Sequence, residues 1–303
     1  MNECKKMKIT SRQLRKIIKE EIYLYESTAP DKLITSGIFQ AIRNSKFWEM
    51  PHKESNVDLV DDSTWSTPAI EILMDALNDA AKDLNTDLYF ILSVTDDELY
   101  TLGPDDQYGG YPNNWMMRGQ YRGPEKGKHI VWLEFRPVAD DYDINALDPE
   151  ELVKIISRTI NHELVHYNQL KSQSAKKGIS EEEAWEELQC DPNQIQVTDP
   201  EEWEKRCGRK PPETVPGRPG YLSLHNEIDA FAYEASEHLL DEYTPDEALD
   251  LIKRRDSKIK GVVGDYRKYL KDDRKSLERF LTKLYTNIKK VQEEETQSLA
   301  HST

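Results

Sequence analysis

The chain has 303 residues, 32% of them charged, and a formal net charge of −16. A surface this acidic argues against general nucleic-acid binding and against binding to anionic membranes, so we expect neither partner. No apolar run is long enough to span a membrane and the start lacks the apolar core of a secretory signal, which predicts a cytoplasmic protein.

Residues 7–25 combine an apolar stripe with a basic face, which predicts an amphipathic helix within a basic segment, residues 1–30. The segment resembles short N-terminal stretches of tailed-bacteriophage proteins. That resemblance implies a phage-encoded protein in the host cytoplasm or the virion, with capsid or other virion proteins as candidate partners. The alternative is a terminal helix that docks on the main domain.

The next elements alternate between helix and strand. Thr67-Pro68 opens a predicted helix that runs through Asn85, and residues 87–94 form a nearly continuous apolar run typical of a buried strand. Residues 103–127 are rich in Gly, Pro and Asn, which predicts loops with short pieces of strand. Residues 129–137 alternate and predict a second strand, ended by Pro137.

The central motif is HExxH, with His162, Glu163 and His166 on a helix that Asp148 and Pro149 begin. Residues four apart lie on one face of a helix, so both imidazoles can bind one metal ion. Glu163 can then accept a proton from a metal-bound water. Two core histidines bonded to backbone carbonyls would be the simpler interpretation, but the pair with a Glu between them favours a zinc site.

The remaining chain is mostly helical. We predict a polar insert at residues 171–219 with short helices at 181–189 and 200–206, then a helix at 222–240 capped by Ser223. Thr244 and Pro245 begin another helix. Residues 263–292 predict an amphipathic helix, which we expect to pack on the same chain; the alternative is that it pairs with a partner helix.

Three cysteines, Cys4, Cys190 and Cys207, cannot all pair, and their spacing fits no zinc-knuckle pattern. Cys190 and Cys207 could form a disulfide. We favour reduced thiols, the usual state in the cytosol.

A catalytic zinc usually takes three protein ligands. Gln169 and Ser172 stand where metzincins have a Gly and a third His, which excludes that class. Glu227, on the predicted helix 222–240, is the preferred third ligand. The alternatives are His225, Asp229, Glu234 and His238.

With these residues the chain resembles the gluzincins, zincin metallopeptidases whose third ligand is a Glu on a later helix. The resemblance implies Zn²⁺ bound by His162, His166 and Glu227, Glu163 as general base, and a protein or peptide substrate. Tyr221 or His225 would supply the oxyanion donor.

The pattern of thermolysin has an Asp where this chain has Phe231. Support of the first His must then fall to another group, and Asp229 or Glu234 is the candidate.

The expected fold class is α+β. A zincin-like domain, residues 31–240, would place an edge strand over the HExxH helix, and residues 241–303 would form a helical extension. The strand at 129–137 is the expected edge strand, with Glu134 or Arg136 facing the cleft or else the solvent. Two rivals to a general peptidase are a virion structural or interaction protein with an inert or structural metal site, and a toxin-type peptidase with one host substrate.

Overall fold

The structure is a computed structural model that describes residues 30, 32–46, 58–59, 64–66, 68–95, 115–137, 149–191, 200–210, 217–254, 256, 259 and 261–301. Its helices are α1 (Lys32–Asn44), α2 (Pro68–Asp83), α3 (Pro149–Lys177), α4 (Glu181–Gln189), α5 (Pro200–Cys207), α6 (Gly217–Leu222), α7 (His225–Glu242), α8 (Pro245–Lys253), α9 (Val262–Tyr269) and α10 (Arg274–His301). Its strands are β1 (Asp58–Leu59), β2 (Thr64–Ser66), β3 (Leu88–Thr95), β4 (Trp115–Glu125) and β5 (Lys128–Pro137).

The strands form one mixed sheet in the order β1-β2-β3-β5-β4. β3 and β5 run parallel, β4 runs antiparallel to β5, and the two short strands extend the far edge. Helices and this sheet together confirm the expected α+β class, and the predicted helix and buried strand at residues 67–94 are confirmed as α2 and β3.

Alternate residues of the sheet build its buried face. Leu88, Phe90 and Leu92 of β3 and Val131 and Leu133 of β5 are at most 5% exposed. They pack with apolar residues of α1, α2 and α3 in one hydrophobic core. On the opposite face Tyr89 is 42% exposed. The helices of this core therefore lie against one face of the sheet.

The prediction of loops at residues 103–127 is wrong for the stretch that forms β4. Gly119, Gly123 and Pro124 interrupt the alternation that marks a strand, yet β4 pairs with β5 along its length. A Cβ on Gly119 or Gly123 would overlap the side chain of Glu163 or Trp185. These glycines therefore allow close packing of β4 against helices that lie far along the chain.

β4 also replaces the predicted edge strand. β5 has β3 on one side and β4 on the other, so the expectation that residues 129–137 form the edge strand is wrong. Glu134 lies opposite Ser93 on the face that carries Tyr89, away from α3. The Arg136 side chain lies outside the described part of the chain.

The HExxH helix is confirmed as α3, in which Ile155, Ile156, Ile160 and Val165 are buried. The helix ends at Lys177, so residues 171–177, which were predicted to belong to the insert, are part of α3. Gly178 follows at φ +66°, a left-handed conformation that glycine adopts without strain at a helix end. The two short helices of the insert are confirmed as α4 and α5.

A second hydrophobic core joins α7 to the C-terminal helices. It contains Ile228 and Leu239 of α7 together with Phe280, Leu284 and Ile288 of α10. This confirms that the C-terminal helices pack on the same chain. The predicted boundary between residues 240 and 241 stays a prediction, although α7 shares its core with the helices that follow it.

Two details of this region differ from expectation. The predicted continuous helix 263–292 is wrong, because the chain breaks between α9 and α10; Leu270 is buried at the break and the Asp273 carboxylate accepts from Ser276 N–H to begin α10. Ser223 does not cap α7. Its hydroxyl donates to Gly220 O, and Leu224 is the N-cap residue without a side-chain bond.

Cys190, at the C-cap of α4, is bonded to Cys207, the last residue of α5. The prediction of reduced thiols is therefore wrong for this pair. Cys4 and the predicted helix at residues 7–25 lie outside the described residues. No helix in the described ranges has both the length and the apolar character needed to cross a membrane.

Candidate metal centre

His162, His166 and Glu227 meet where α3 packs against α7. His162 and His166 are one turn apart on α3, and Glu227 lies in the first turn of α7. One donor atom from each side chain lies within 4.8 Å of the others. His162 and Glu227 are 6% and 7% exposed, so the cluster is buried. The helix pair thus brings together all three predicted ligands.

The spacing of these atoms suits a shared cation better than direct hydrogen bonds. Glu227 Oε2 lies 3.4 Å from His162 Nε2, and Glu227 Oε1 lies 3.6 Å from His166 Nε2. Two donors on a tetrahedral zinc lie about 3.3 Å apart, given bonds of about 2.0–2.1 Å. Glu227 Oε2 is buried and has no hydrogen-bond partner. A buried carboxylate oxygen without a partner is costly, and a cation would satisfy it.

The other ring nitrogens are held by neighbouring side chains. His162 Nδ1 lies 3.1 Å from Glu234 Oε2, and His166 Nδ1 lies 3.1 Å from Gln169 Oε1. These bonds turn both Nε2 atoms toward Glu227 and fix the tautomer that leaves Nε2 free to bind a metal. Gln169 also donates to Asn226 O, which ties this support to the start of α7.

Phe231 packs its ring edge against His162 at a centroid distance of 4.5 Å and offers no hydrogen-bond acceptor. The support that it cannot provide comes from Glu234, three residues further along α7. Of the two residues named for this role from the sequence, Glu234 therefore contacts the ring.

Asp229 instead lies 3.6 Å from Lys283 Nζ, against α10.

The cluster is strongly polarised. Burial would lower the pKa of His162, but Glu227 and Glu234 more than reverse this and raise it. Burial opposes ionisation of Glu227, yet His166 and His162 outweigh it and hold the pKa of Glu227 at about 2. Glu227 is therefore a carboxylate at any ordinary pH, the form that binds a metal.

Glu163 is buried beside the cluster but is not one of the three donors. Its Oε2 accepts a hydrogen bond from Tyr121 N–H of β4 at 2.6 Å. Burial raises its pKa, and the neighbouring His162 and His166 act in the opposite direction. β4 therefore holds Glu163 at the side of the site, as a base with a higher proton affinity than an exposed Glu.

The two residues predicted as oxyanion donors occupy different surroundings. Tyr221 lies near enough to Glu227 to lower its pKa. His225 begins α7, and its electrostatic neighbours include Arg279, Asp229 and Lys275. The catalytic role of both residues stays a prediction, and Tyr221 is the one that reaches the donor cluster.

His238, another alternative ligand, is exposed and lies 3.9 Å from Glu242. It does not belong to the donor cluster.

Two residues of β4 that contact Glu163 are missed by sequence reasoning. Tyr121 acts through its backbone, which leaves no signal in its side-chain type. Gly119 leaves the space that Glu163 fills, since a Cβ there would lie 2.8 Å from Glu163 Cγ and from Thr159 Cγ2. A glycine between Arg118 and Gln120, inside a strand, is the signal that could have indicated close approach.

No known family is matched by this chain. Comparison of the chain with protein families, with curated proteins and with solved structures finds no match. The site is therefore defined by its own donor atoms: two imidazole nitrogens and a carboxylate, of which His162 and Glu227 are buried and His166 is partly buried, with the carboxylate of Glu163 beside them.

Proposed function

We propose that this chain is a zinc-dependent peptidase with a zincin-like catalytic domain of the gluzincin type. The observation that carries the proposal is the buried His162, His166 and Glu227 cluster, in which Glu227 Oε2 has no hydrogen-bond partner. Two imidazoles and one carboxylate are a common catalytic zinc set, which leaves a fourth position for water or substrate.

His162, His166 and Glu227 would hold the metal. Bound zinc lowers the pKa of a coordinated water toward ~7 and polarises a carbonyl group. The chain itself supplies the rigidity of the ligands, because Glu234 and Gln169 fix both rings and the C-terminal core fixes α7.

Glu163 is the proposed general base and acid. Tyr121 N–H donates to Oε2 of this carboxylate, which would take a proton from water and return it to the leaving amine. Burial raises the pKa of Glu163, which strengthens it as the base that accepts the water's proton.

β4 supports a peptide as the substrate. Within the described ranges it pairs with β5 along one edge only, so its other edge can accept an extended backbone. The Tyr121 bond places this strand directly beside Glu163. A peptide added to β4 would lie next to the proposed base.

Tyr221 is the proposed oxyanion donor, because it lies beside Glu227 at the start of the ligand helix. A phenol donor aimed at developing charge strengthens catalysis without binding the metal.

The test measures zinc content and cleavage of casein and a peptide library in matched variants. We expect Glu163→Gln to keep its zinc and lose at least 10²-fold in cleavage rate, and His162→Ala/His166→Ala to lose cleavage and the zinc ion bound at this cluster. Glu242→Gln, an exposed acid on the same helix as Glu227, is the control and should change neither.

Stoichiometric zinc without cleavage of any substrate would favour a structural site and reject the peptidase. Zinc retained unchanged in the double variant would reject the site itself.

A further inference from the structure

A second cluster of metal-binding side chains lies at the start of the parallel strands β3 and β5, against the first turn of α4. Asp87 immediately precedes β3, His129 is near the start of β5, and Glu181 is the first residue of α4. One donor atom from each lies within 4.8 Å of the others. None of these residues belongs to the proposed catalytic site.

His129 has the arrangement of a metal ligand. It is 2% exposed, and its Nδ1 is hydrogen-bonded to the hydroxyl of Tyr121. That bond turns Nε2 toward the carboxylates, 2.7 Å from Glu181 Oε2 and 3.7 Å from Asp87 Oδ2. With a cation on Nε2, the ring proton would sit on Nδ1 and donate to the Tyr121 oxygen.

The two distances bracket the spacing of ligands on one ion. Donors on a tetrahedral zinc are about 3.3 Å apart. Moving Glu181 outward and Asp87 inward by a few tenths of an ångström would give that spacing. Both carboxylates are only about one third exposed, so an ion can enter and remain shielded from water.

A cation already lies on one side of the cluster. Lys171 Nζ lies 3.0 Å from Asp87 Oδ2, and Tyr167 donates its hydroxyl proton to Asp87 Oδ1 at 2.6 Å. Two carboxylates, those of Asp87 and Glu181, therefore lie beside one imidazole and one ammonium. A divalent ion held by these carboxylates would be repelled by Lys171 and would compete with it for Asp87.

We propose that Asp87, His129 and Glu181 form a second divalent-cation site, suited to Zn²⁺ or Mn²⁺, that fastens the insert to the sheet. One imidazole and two carboxylates are ligands of that borderline class of cation. Glu181 is the ligand from the insert; the other two are from the ends of neighbouring strands.

The position of α4 gives the site a structural role. Trp185 of α4 packs against Tyr121 at a centroid distance of 5.4 Å, and Tyr121 N–H holds Glu163. An ion at Glu181 would fix α4 against β4. The second site would thereby stabilise the strand that positions the proposed base.

The experiment uses the full chain and Zn²⁺ alone as the probe, with bound metal counted after equilibration and dialysis. We expect two equivalents in the wild type and one in His129→Ala or in Glu181→Gln, the milder change. Glu182→Gln, an exposed acid in the same helical turn, should keep two. Circular dichroism confirms that each variant is folded.

The catalytic double variant His162→Ala/His166→Ala separates the two proposals. One equivalent left in it, and none when Glu181→Gln is added, supports the second site. One equivalent in the wild type that Glu181→Gln abolishes also supports it, while rejecting the catalytic site. One equivalent in the wild type that the double variant abolishes overturns the second site, as does equal loss in Glu182→Gln.

Lys171→Met tests the competition directly. It removes the ammonium beside Asp87, so zinc binding at the second site should tighten roughly tenfold, measured by titration in the background of the catalytic double variant. Affinity that is unchanged or weaker would contradict the site.

Discussion

Gly119 lies against Glu163 so closely that a Cβ at position 119 would lie 2.8 Å from Glu163 Cγ. A methyl group at this position would therefore push the proposed base away from Tyr121 N–H. The relationship links a residue of the edge strand to the acid–base chemistry proposed for the helix beneath it.

Gly119→Ala should reduce peptide cleavage by at least tenfold while zinc content stays the same. The added methyl group also overlaps Thr159, so the free energy of unfolding should fall by about 1–3 kcal/mol. Kinetics with a peptide substrate and urea denaturation measure the two effects.

Gly264→Ala is the control, since the nearest atom to a Cβ there is Ile259 O at 4.0 Å. It should leave cleavage unchanged. Full activity in Gly119→Ala would show that the position of Glu163 does not depend on this contact.

Glu234→Gln should weaken zinc binding by about 10–100-fold, because the carboxylate that orients His162 Nδ1 becomes a neutral amide. The dissociation constant, measured by competition with a chelator, reports the effect. Glu242→Gln removes an exposed charge from the same helix and should change the constant little. Equal effects of the two variants would mean that net charge alone, and not the bond to His162, sets the affinity.

Glu237 should make stability depend on pH. Burial raises its pKa to about 7, while Asn161 and Arg158 act in the opposite direction. Between its ordinary pKa of 4.5 and about 7 the folded chain binds more protons than the unfolded chain, so stability falls as pH rises. The loss is at most about 3 kcal/mol, at about 1.4 kcal/mol per pKa unit.

Glu237→Gln removes this titration and keeps an acceptor for Asn161. Urea denaturation at pH 5 and pH 8 should therefore show the variant gaining stability relative to the wild type at the higher pH. A difference between the two proteins that does not change with pH would contradict the raised pKa.

Reduction of Cys190–Cys207 should lower the stability of the insert. The two cysteines are 17 residues apart, and closing a loop of this length lowers the conformational entropy of the unfolded chain. This stabilises the folded state by about 3 kcal/mol. Thermal unfolding with and without a reductant measures the change, and Cys190→Ser/Cys207→Ser should match the reduced protein. Cys4→Ser is the control. Mass spectrometry after alkylation without reductant should find Cys190 and Cys207 unmodified; labelling of both would disprove the disulfide.

Phe280→Ala should destabilise the C-terminal core by about 3–5 kcal/mol, since the ring is fully buried and stacks on Tyr266. Because α7 belongs to this core, zinc should also bind more weakly. Leu281→Ala, at the half-buried neighbouring position, should cost less in both measurements. Weaker stability with unchanged zinc affinity would show that Glu227 is placed independently of this core.

The ligand helices were predictable because their signals are local. Asp148-Pro149 is a helix-start signal in the sequence, apolar residues follow at helical spacing, and HExxH places two rings on one side. The choice of Glu227 as third ligand required only a Glu on a later helix. Its partner Glu234 was one of two candidates, since sequence alone does not show which acid reaches His162 Nδ1.

β4 was missed because its glycines are required by contacts with residues far along the chain. A Cβ on Gly119 would overlap Glu163, and a Cβ on Gly123 would overlap Trp185. A local sequence pattern does not contain these contacts. The disulfide was missed for a similar reason: cysteine spacing does not determine pairing, and the assumed compartment favoured thiols. The break between α9 and α10 falls at Leu270, which is buried, and helical periodicity alone does not reveal it.

The proposed metal centre stands at the junction of two separately packed cores. α3 contributes residues such as Ile160 to the sheet core, while Ile228 of α7 belongs to the C-terminal core. An ion shared by the imidazoles and Glu227 would bridge these bodies, so binding free energy would be available only to a chain in which both are folded and docked. Metal binding would thus require that both cores are folded, and an incompletely folded chain would not hold the proposed catalytic metal.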